Sequence, residues 1–261
     1  MHVGDLVEVN TESHVGRRGR LLRTGLDFQK AVKLWDVELE GVSDELTGQP
    51  LVVTCSQSHM RPVGERPLAL FDMDGTLFDY AGKLLADLEA MRSPGETPLT
   101  AKDLHGEESW LRRRIETIKN QPDWWSSLPL LPLGLEVYRC VVSTGYAVEV
   151  LTKGPKNRRA WAEKAQCIDD HFGDVPINIV GEGKGRYYGR LLCDDYVTFM
   201  EDWLEHRPRG LGVLIANEGN EWYEHPNVVR FDGSNYEEMI RAVDAAFRRD
   251  SGSHWRDFLS E

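Results

Sequence analysis

Four aspartates, one lysine and two threonines stand out because each follows an apolar run. Asp72, Asp74 and Thr76 come after residues 68–71, in Phe71-Asp72-Met73-Asp74-Gly75-Thr76-Leu77. Thr152 follows residues 147–151, Lys184 follows 177–180, and Asp194 with Asp195 follows 191–193. Carboxylates gathered in one place cannot all ionise unless a cation balances them. Oxygen donors with few nitrogens favour a hard ion such as Mg²⁺, which keeps positions for water and for a substrate phosphate. In such a site one carboxylate attacks phosphorus to form an aspartyl-phosphate. A second gives a proton to the leaving oxygen and later activates water. The Lys184 ammonium and the Thr152 hydroxyl suit the phosphoryl oxygens, since positioning and electrostatics do most of the work in phosphoryl transfer.

For these residues to meet, the runs before them must be strands of one open sheet, whose ligands bind beyond the carboxyl ends. From Pro67 onward the pattern agrees. Strand candidates at 68–72, 147–151, 177–180, 191–193, 212–216 and 228–231 alternate with helical segments at 134–143, 156–172, 197–206 and 236–249. In the last helix Met239, Ile240, Val243, Ala246 and Phe247 recur at helical spacing, a core stripe. This alternation predicts an α/β fold, a mostly parallel sheet with helices on both faces. Residues 80–127 interrupt it with two helical stretches separated by a Ser93-Pro94-Gly95 turn, the pattern of a helical cap over the sheet edge. Residues 1–65 read differently. Short alternating runs at 5–9, 34–41 and 51–54, with 16–25 read as turn, strand and turn, predict a small β-barrel. The expected organisation is a barrel over 1–65, an α/β core over 66–79 and 128–261, and a cap over 80–127.

Composition narrows the function. Of 261 residues 41% are hydrophobic and 28% charged, enough apolar mass for a core and against dominant disorder. No apolar run approaches the roughly 18–20 residues of a membrane span. The opening Met-His-Val-Gly-Asp lacks a signal pattern, so a cytoplasmic protein with no membrane partner is expected. The net charge of −12 opposes a broad grip on nucleic acid. Arg17, Arg18, Arg20 and Arg23 form the basic cluster of the N-terminal region, but residues 1–65 are themselves net acidic, so a solvated turn is the reading. Arg112-Arg113-Arg114 is read as a solvated helix face. Cys55, Cys140, Cys167 and Cys193 are too far apart in sequence for a zinc pair and are read as buried free thiols. The eight histidines lack ligand spacing, and Gly181-Glu-Gly-Lys-Gly185 lacks the spacing of a nucleotide-triphosphate loop.

The order of these motifs resembles the haloacid-dehalogenase-type phosphohydrolases, from Pro67 to the C-terminal helix. Phe71–Leu77 is similar to the first motif of that superfamily, and Thr152, Lys184 and Asp194-Asp195 fall where its other three lie. Within it, the cytosolic-type 5′(3′)-deoxyribonucleotidases are most similar. Lys184-Gly-Arg-Tyr-Tyr-Gly-Arg-Leu-Leu-Cys-Asp194-Asp195, the Trp124-Trp125 pair before Pro129, and Arg159-Ala-Trp161-Ala-Glu163-Lys164 carry that likeness. It implies Asp72 as nucleophile and Asp74 as acid and base. It implies Mg²⁺ held by Asp72, the backbone carbonyl of Asp74 and one of Asp194 or Asp195, and a nucleoside monophosphate as substrate. The stretch from Thr152 to Trp161 is shorter than in the animal enzymes, so Lys153 or Lys156 stands to take over a phosphate contact. The N-terminal region resembles SH3-like or KOW-type barrels, has no counterpart in those enzymes, and its partner is open, as is a homo-oligomeric state.

Aromatic residues complete the candidate set. Trp124 and Trp125 either stack on a nucleobase at the cap–core cleft or pack the cap hinge. Phe78 either lines the pocket or packs the cap root, and Thr76 and Lys153 are the remaining substrate-contact candidates. Two further readings of the whole remain: a phosphatase acting on nucleic-acid ends with the barrel as docking module, and a non-catalytic binding protein of the same fold.

Overall fold

The computed structural model describes residues 6–11, 14–27, 32–44, 47–56, 60–62, 66–106, 108–249 and 252–259. The chain divides into two compact units at Arg66/Pro67.

The first unit is a five-stranded antiparallel sheet. β1 (Leu6–Thr11), β2 (His14–Asp27), β3 (Val32–Ser43), β4 (Pro50–Ser56) and β5 (Met60–Pro62) pair in the order β4-β3-β2-β1-β5. Alternation along β3 sends Trp35, Val37 and Leu39 inward, where they pack with Val9, Leu21 and Cys55. The turns expected around residues 16–19 and 24–25 are instead interior to β2, which pairs with β1 on one side and β3 on the other. The physical reason is visible at Gly19, where a Cβ would press against the Glu38 carbonyl and the Val37 side chain. That glycine serves close strand approach rather than a turn. Further along β2, Arg23 pairs at the surface with Asp36 of β3 at 2.5 Å.

The second unit is an α/β fold around a six-stranded sheet, paired in parallel throughout. Its strands are β6 (Leu68–Phe71), β7 (Ala147–Lys153), β8 (Ile177–Val180), β9 (Leu191–Asp194), β10 (Leu211–Ile215) and β11 (Val228–Phe231), in the order β11-β10-β9-β6-β7-β8. Period-two alternation divides the core. Ala69, Phe71, Leu191, Cys193, Val213 and Ile215 enter one apolar cluster. Leu70, Leu192 and Leu214 enter the other. Helices α3 (Pro132–Thr144), α4 (Arg159–Phe172) and α6 (Tyr236–Arg248) cover the first face, and α5 (Val197–His206) covers the second. All four cysteines are buried and unbridged. Among the described residues no helix is long and apolar enough to cross a membrane.

Between β6 and α3 lies a helical insertion holding α1 (Tyr80–Ala90), a short 3-10 segment (Ala101–His105) and α2 (Ser109–Lys119). Asp79 caps α1 by accepting from the Gly82 amide at 2.8 Å. The insertion leaves and returns through one pair of clamps, Asp79 N–H to the Pro129 carbonyl and Leu131 N–H to the Leu77 carbonyl, both 2.8 Å. α3 then starts with Pro132 at its first position and ends on Gly145 at φ 114°, as helix geometry favours.

Gly134, in the first turn of α3, touches the loop that follows β6 so closely that a Cβ would overlap the Thr76 carbonyl oxygen. Helix propensity alone would make Gly134→Ala stabilising by about 1 kcal/mol. Forced displacement of the loop costs about 1–3 kcal/mol. We expect the second effect to win, so Gly134→Ala should lower the urea midpoint; a higher midpoint would show that the loop moves freely.

Candidate active site

The sheet brings the chemistry-bearing residues to one edge because β9, β6 and β7 are adjacent and parallel. Register pairs Phe71 with Cys193 and with Val150, so Asp72 and Asp194 emerge side by side and Thr152 follows on the other flank. The Asp72 amide continues the ladder by donating to the Cys193 carbonyl at 2.8 Å. β7 runs through Thr152 and Lys153 rather than stopping before them, because both continue the pairing with β8. α4 begins at Arg159, three residues later than its sequence pattern suggests, where the Asn157 side chain accepts from the Arg159 amide at 3.1 Å.

Lys184 lies in a short 3-10 turn after β8 and is 1% exposed. Its ammonium bridges Asp72 Oδ1 at 2.6 Å and Asp194 Oδ2 at 2.7 Å. Burial works against this ammonium, but Asp194 and Asp72 outweigh burial and hold its pKa above the ordinary value. Asp194 is fully buried, and its other oxygen accepts from the Tyr196 amide at 2.9 Å. Asp195 is held differently. The Asn217 and Asn220 side chains donate to its backbone carbonyl at 3.2 and 3.0 Å, and Asn217 also reaches its carboxylate at 3.3 Å. Oxygens of Asp72, Asp194 and Asp195 lie within 4.8 Å of one another.

Asp74 turns toward a second lysine. Lys164, wholly buried on α4, donates to Asp74 Oδ2 at 2.5 Å, to Thr152 Oγ1 at 2.9 Å and to the Lys153 carbonyl at 3.1 Å. The Asp74 Oδ1 and Thr76 Oγ1 atoms are buried without a hydrogen-bond partner among the described residues. Burial raises the Asp74 pKa, with Lys164 opposing and Asp72 adding to the rise. Burial likewise raises Asp194 to about 6 against the pull of Lys184. Asp195 is raised well above the carboxylate range by burial and then by its neighbours Asp194 and Asp72. Three carboxyls raised by burial, one of them with an oxygen that lacks a partner, beside the unpartnered Thr76 hydroxyl, fit a hard cation.

Asp72, Asp74, Thr152, Lys184, Asp194 and Asp195 are thus brought together. Thr76 sits in the same loop but is 0% exposed. Phe78 is 0% exposed and meets His171 and Phe172 edge-on. Trp124 and Trp125 are 4% and 3% exposed, and their rings pack against each other and against Tyr80 rather than facing an open cleft. Lys153 is exposed, its ammonium 5.7 Å from the Phe199 ring centroid. Sequence reading missed three contributors: Lys164, Asn217 and Asn220. The first left a trace, since a lysine at the Ala160, Lys164, Cys167, Ile168 stripe of an amphipathic helix must find a buried acceptor. The asparagines, in a polar loop after β10, left none.

No family model matches the chain, and no curated protein matches it. Solved structures do match. A haloacid dehalogenase-like family hydrolase from Xanthomonas campestris is 20% identical, covering 71% of this chain and 99% of its own, with a TM-score of 0.41. A HAD family hydrolase from Deinococcus radiodurans R1 with bound phosphate and sodium is 13% identical over 69% of this chain and 96% of its own, at 0.45. Phosphoserine phosphatase from T. onnurineus is 16% identical over 69% and 95%, at 0.38. Likeness this distant decides nothing about this chain, and the chemistry has to come from the side chains.

The raised carboxyls give stability a sign with pH. A carboxyl raised by folding supports the fold fully below its unfolded value, near 3.8, and that support is lost as pH climbs through the folded value, about 6 for Asp194. The metal-free protein should therefore melt at a higher temperature near pH 5 than near pH 7.5, and Asp195→Asn should flatten the difference. Melts in EDTA across that range check this; a wild-type curve that rises toward neutral pH in step with the variant would refute it.

Proposed function

We propose that this chain is a phosphohydrolase of the haloacid-dehalogenase type that releases phosphate from a (deoxy)nucleoside monophosphate. The observation that carries the reading is Lys184, one buried ammonium pinning Asp72 and Asp194 at the ends of adjacent strands beside Asp195. An Asp72 carboxylate oxygen attacks phosphorus, and the bond to the leaving oxygen breaks. Asp74, whose raised pKa suits an acid, gives that oxygen its proton. Asp74 then takes a proton from water, whose oxygen attacks phosphorus and frees Asp72. Lys184, two of whose three donors go to Asp72 and Asp194, and the Thr152 hydroxyl, which accepts from Lys164 and keeps its own proton to donate, are the groups for the phosphoryl oxygens, and contacts count most where water is scarce.

Mg²⁺ is the metal these residues suit. Asp72, Asp195 and the Asp74 carbonyl would hold it. Asp195 is preferred to Asp194, because both oxygens of Asp194 already accept, from Lys184 and from the Tyr196 amide. Bound there, the ion neutralises charge on the phosphate and on the crowded carboxylates.

The nucleotide substrate rests on the motif spacing from Lys184 to Asp195 and on the helical insertion, read as a cap. The N-terminal sheet is read as an SH3-like module, and a cytoplasmic setting agrees with four buried free thiols. The test is phosphate release from deoxy- and ribonucleoside monophosphates and from 5′- and 3′-phosphorylated oligonucleotides, with Mg²⁺ and with EDTA. Free monophosphates should be preferred, EDTA should stop turnover, and Asp72→Asn should lower kcat by at least about a thousandfold with the fold intact. Undiminished turnover in that variant removes the nucleophile; activity confined to oligonucleotide ends replaces the substrate.

A further inference from the structure

We propose that Trp125, carried by the helical insertion, is a positioning residue that holds the Lys164 ammonium against Asp74. The proposal rests on the reading of this pocket as the reaction site, and it assigns Trp125 a task other than binding a nucleobase.

Lys164 makes three hydrogen bonds with its three donors, to Asp74, Thr152 and the Lys153 carbonyl. What closes the remaining side is an aromatic ring: the Trp125 centroid lies 4.8 Å from Nζ. At that distance an indole attracts an ammonium, and more strongly where water is excluded. Lys164 is 0% exposed and Trp125 is 3% exposed, so water is excluded here.

Trp125 is itself fixed from both sides. Its indole N–H donates to the Lys119 carbonyl at the end of α2, at 3.1 Å. Its backbone N–H donates to Glu163, the residue before Lys164 on α4, at 3.3 Å. Glu163 is in turn paired with Arg159 at 3.2 Å. The ring stacks on Tyr80 at 5.7 Å and 24°, and meets Trp124 edge-on at 4.9 Å. Trp124 donates to Asp87 of α1 at 2.7 Å. One aromatic block therefore ties α1 and α2 to α4 at the turn from which Lys164 reaches Asp74. Displacing the insertion would lift the ring from Lys164, admit water to the ammonium and loosen its hold on the acid. Trp125 thus makes the geometry of Asp74 depend on the insertion being docked.

The experiment compares wild type with Trp125→Phe, which keeps an aromatic face, and Trp125→Leu, which does not. Thermal melts confirm folding, and Trp125→Met replaces the leucine variant if that one does not fold. The first readout needs no turnover: NMR of lysine-labelled protein, with Lys164 assigned through Lys164→Arg. Wild type should show ring-shifted Lys164 ε-methylene signals and a slowly exchanging ammonium. The phenylalanine variant should retain both, and the leucine variant should lose both. Unchanged Lys164 signals in the leucine variant overturn the proposal.

The second readout is kcat and KM on acetyl phosphate, which has no ring to stack, and on thymidine 5′-monophosphate. In the leucine variant kcat should fall about tenfold to a hundredfold on both, the scale of a misplaced reacting group. A loss confined to KM for the nucleotide overturns the proposal in favour of base stacking. If wild type turns over neither compound, the reading of the reaction falls, while the exchange measurement still decides the placement of Lys164.

Discussion

A single ammonium between two carboxylates constrains the whole of the second unit. Parallel pairing of β6 with β9 delivers Asp72 and Asp194 to the same edge, where like charges in a dry environment repel. Lys184 resolves that conflict, yet it comes from beyond β8, two strands away from β6 in the sheet. Its turn must therefore fold back across the edge. Gly183 permits this with φ 74°, in the left-handed region. The Gly185 amide then anchors the turn to Asp202 of α5 at 2.8 Å, and a Cβ there would press on the Asp202 carbonyl and His206. Because α5 begins just after Asp195, the helix that anchors the lysine also continues from the acids it neutralises.

Charge counting extends the point. The cluster gathers Asp72, Asp74, Asp194 and Asp195 against the ammoniums of Lys164 and Lys184. With every group ionised, two negative charges remain unbalanced. Burial first, and the neighbouring carboxylates after it, raise the pKa values of Asp74, Asp194 and Asp195 against the pull of the two lysines. A divalent cation is the counter-charge of matching size, and the two orphaned buried oxygens, on Asp74 and Thr76, mark where polar partners are still wanted.

Much of this was legible in the sequence because the acids and hydroxyls sit at the ends of apolar runs, and a parallel sheet converts run ends into one edge. The sequence was silent where side chains act across elements. Lys164 belongs to an apolar stripe, so helical periodicity treats it as an intruder; only the pocket it enters gives it meaning. Asn217 and Asn220 look like ordinary loop residues until their amides are seen gripping the Asp195 carbonyl. Glycine misled in the first unit, since Gly19 marks backbone proximity within β2 and has no turn to make. The tryptophan pair was ambiguous for a physical reason: flat apolar rings with one donor serve a cleft or a core equally well.

The insertion and the catalytic loop are not independent parts. Residues 77–79 and 129–131 clamp each other through two backbone hydrogen bonds and a bridge between Phe78 and Leu130. Phe78 is fully buried against His171 and Phe172 of α4, so this hinge is seated in the core and begins at Leu77, immediately after Thr76. α3 presses on the same loop at Gly134. Motion of α1 and α2 must therefore pivot beside Asp72 and Asp74, while the segment returning from α2 rests on α4 through the bond from Trp125 to Glu163. Two attachments, one at the loop bearing the nucleophile and one at the helix bearing Lys164, make docking of the insertion and alignment of the site a single event.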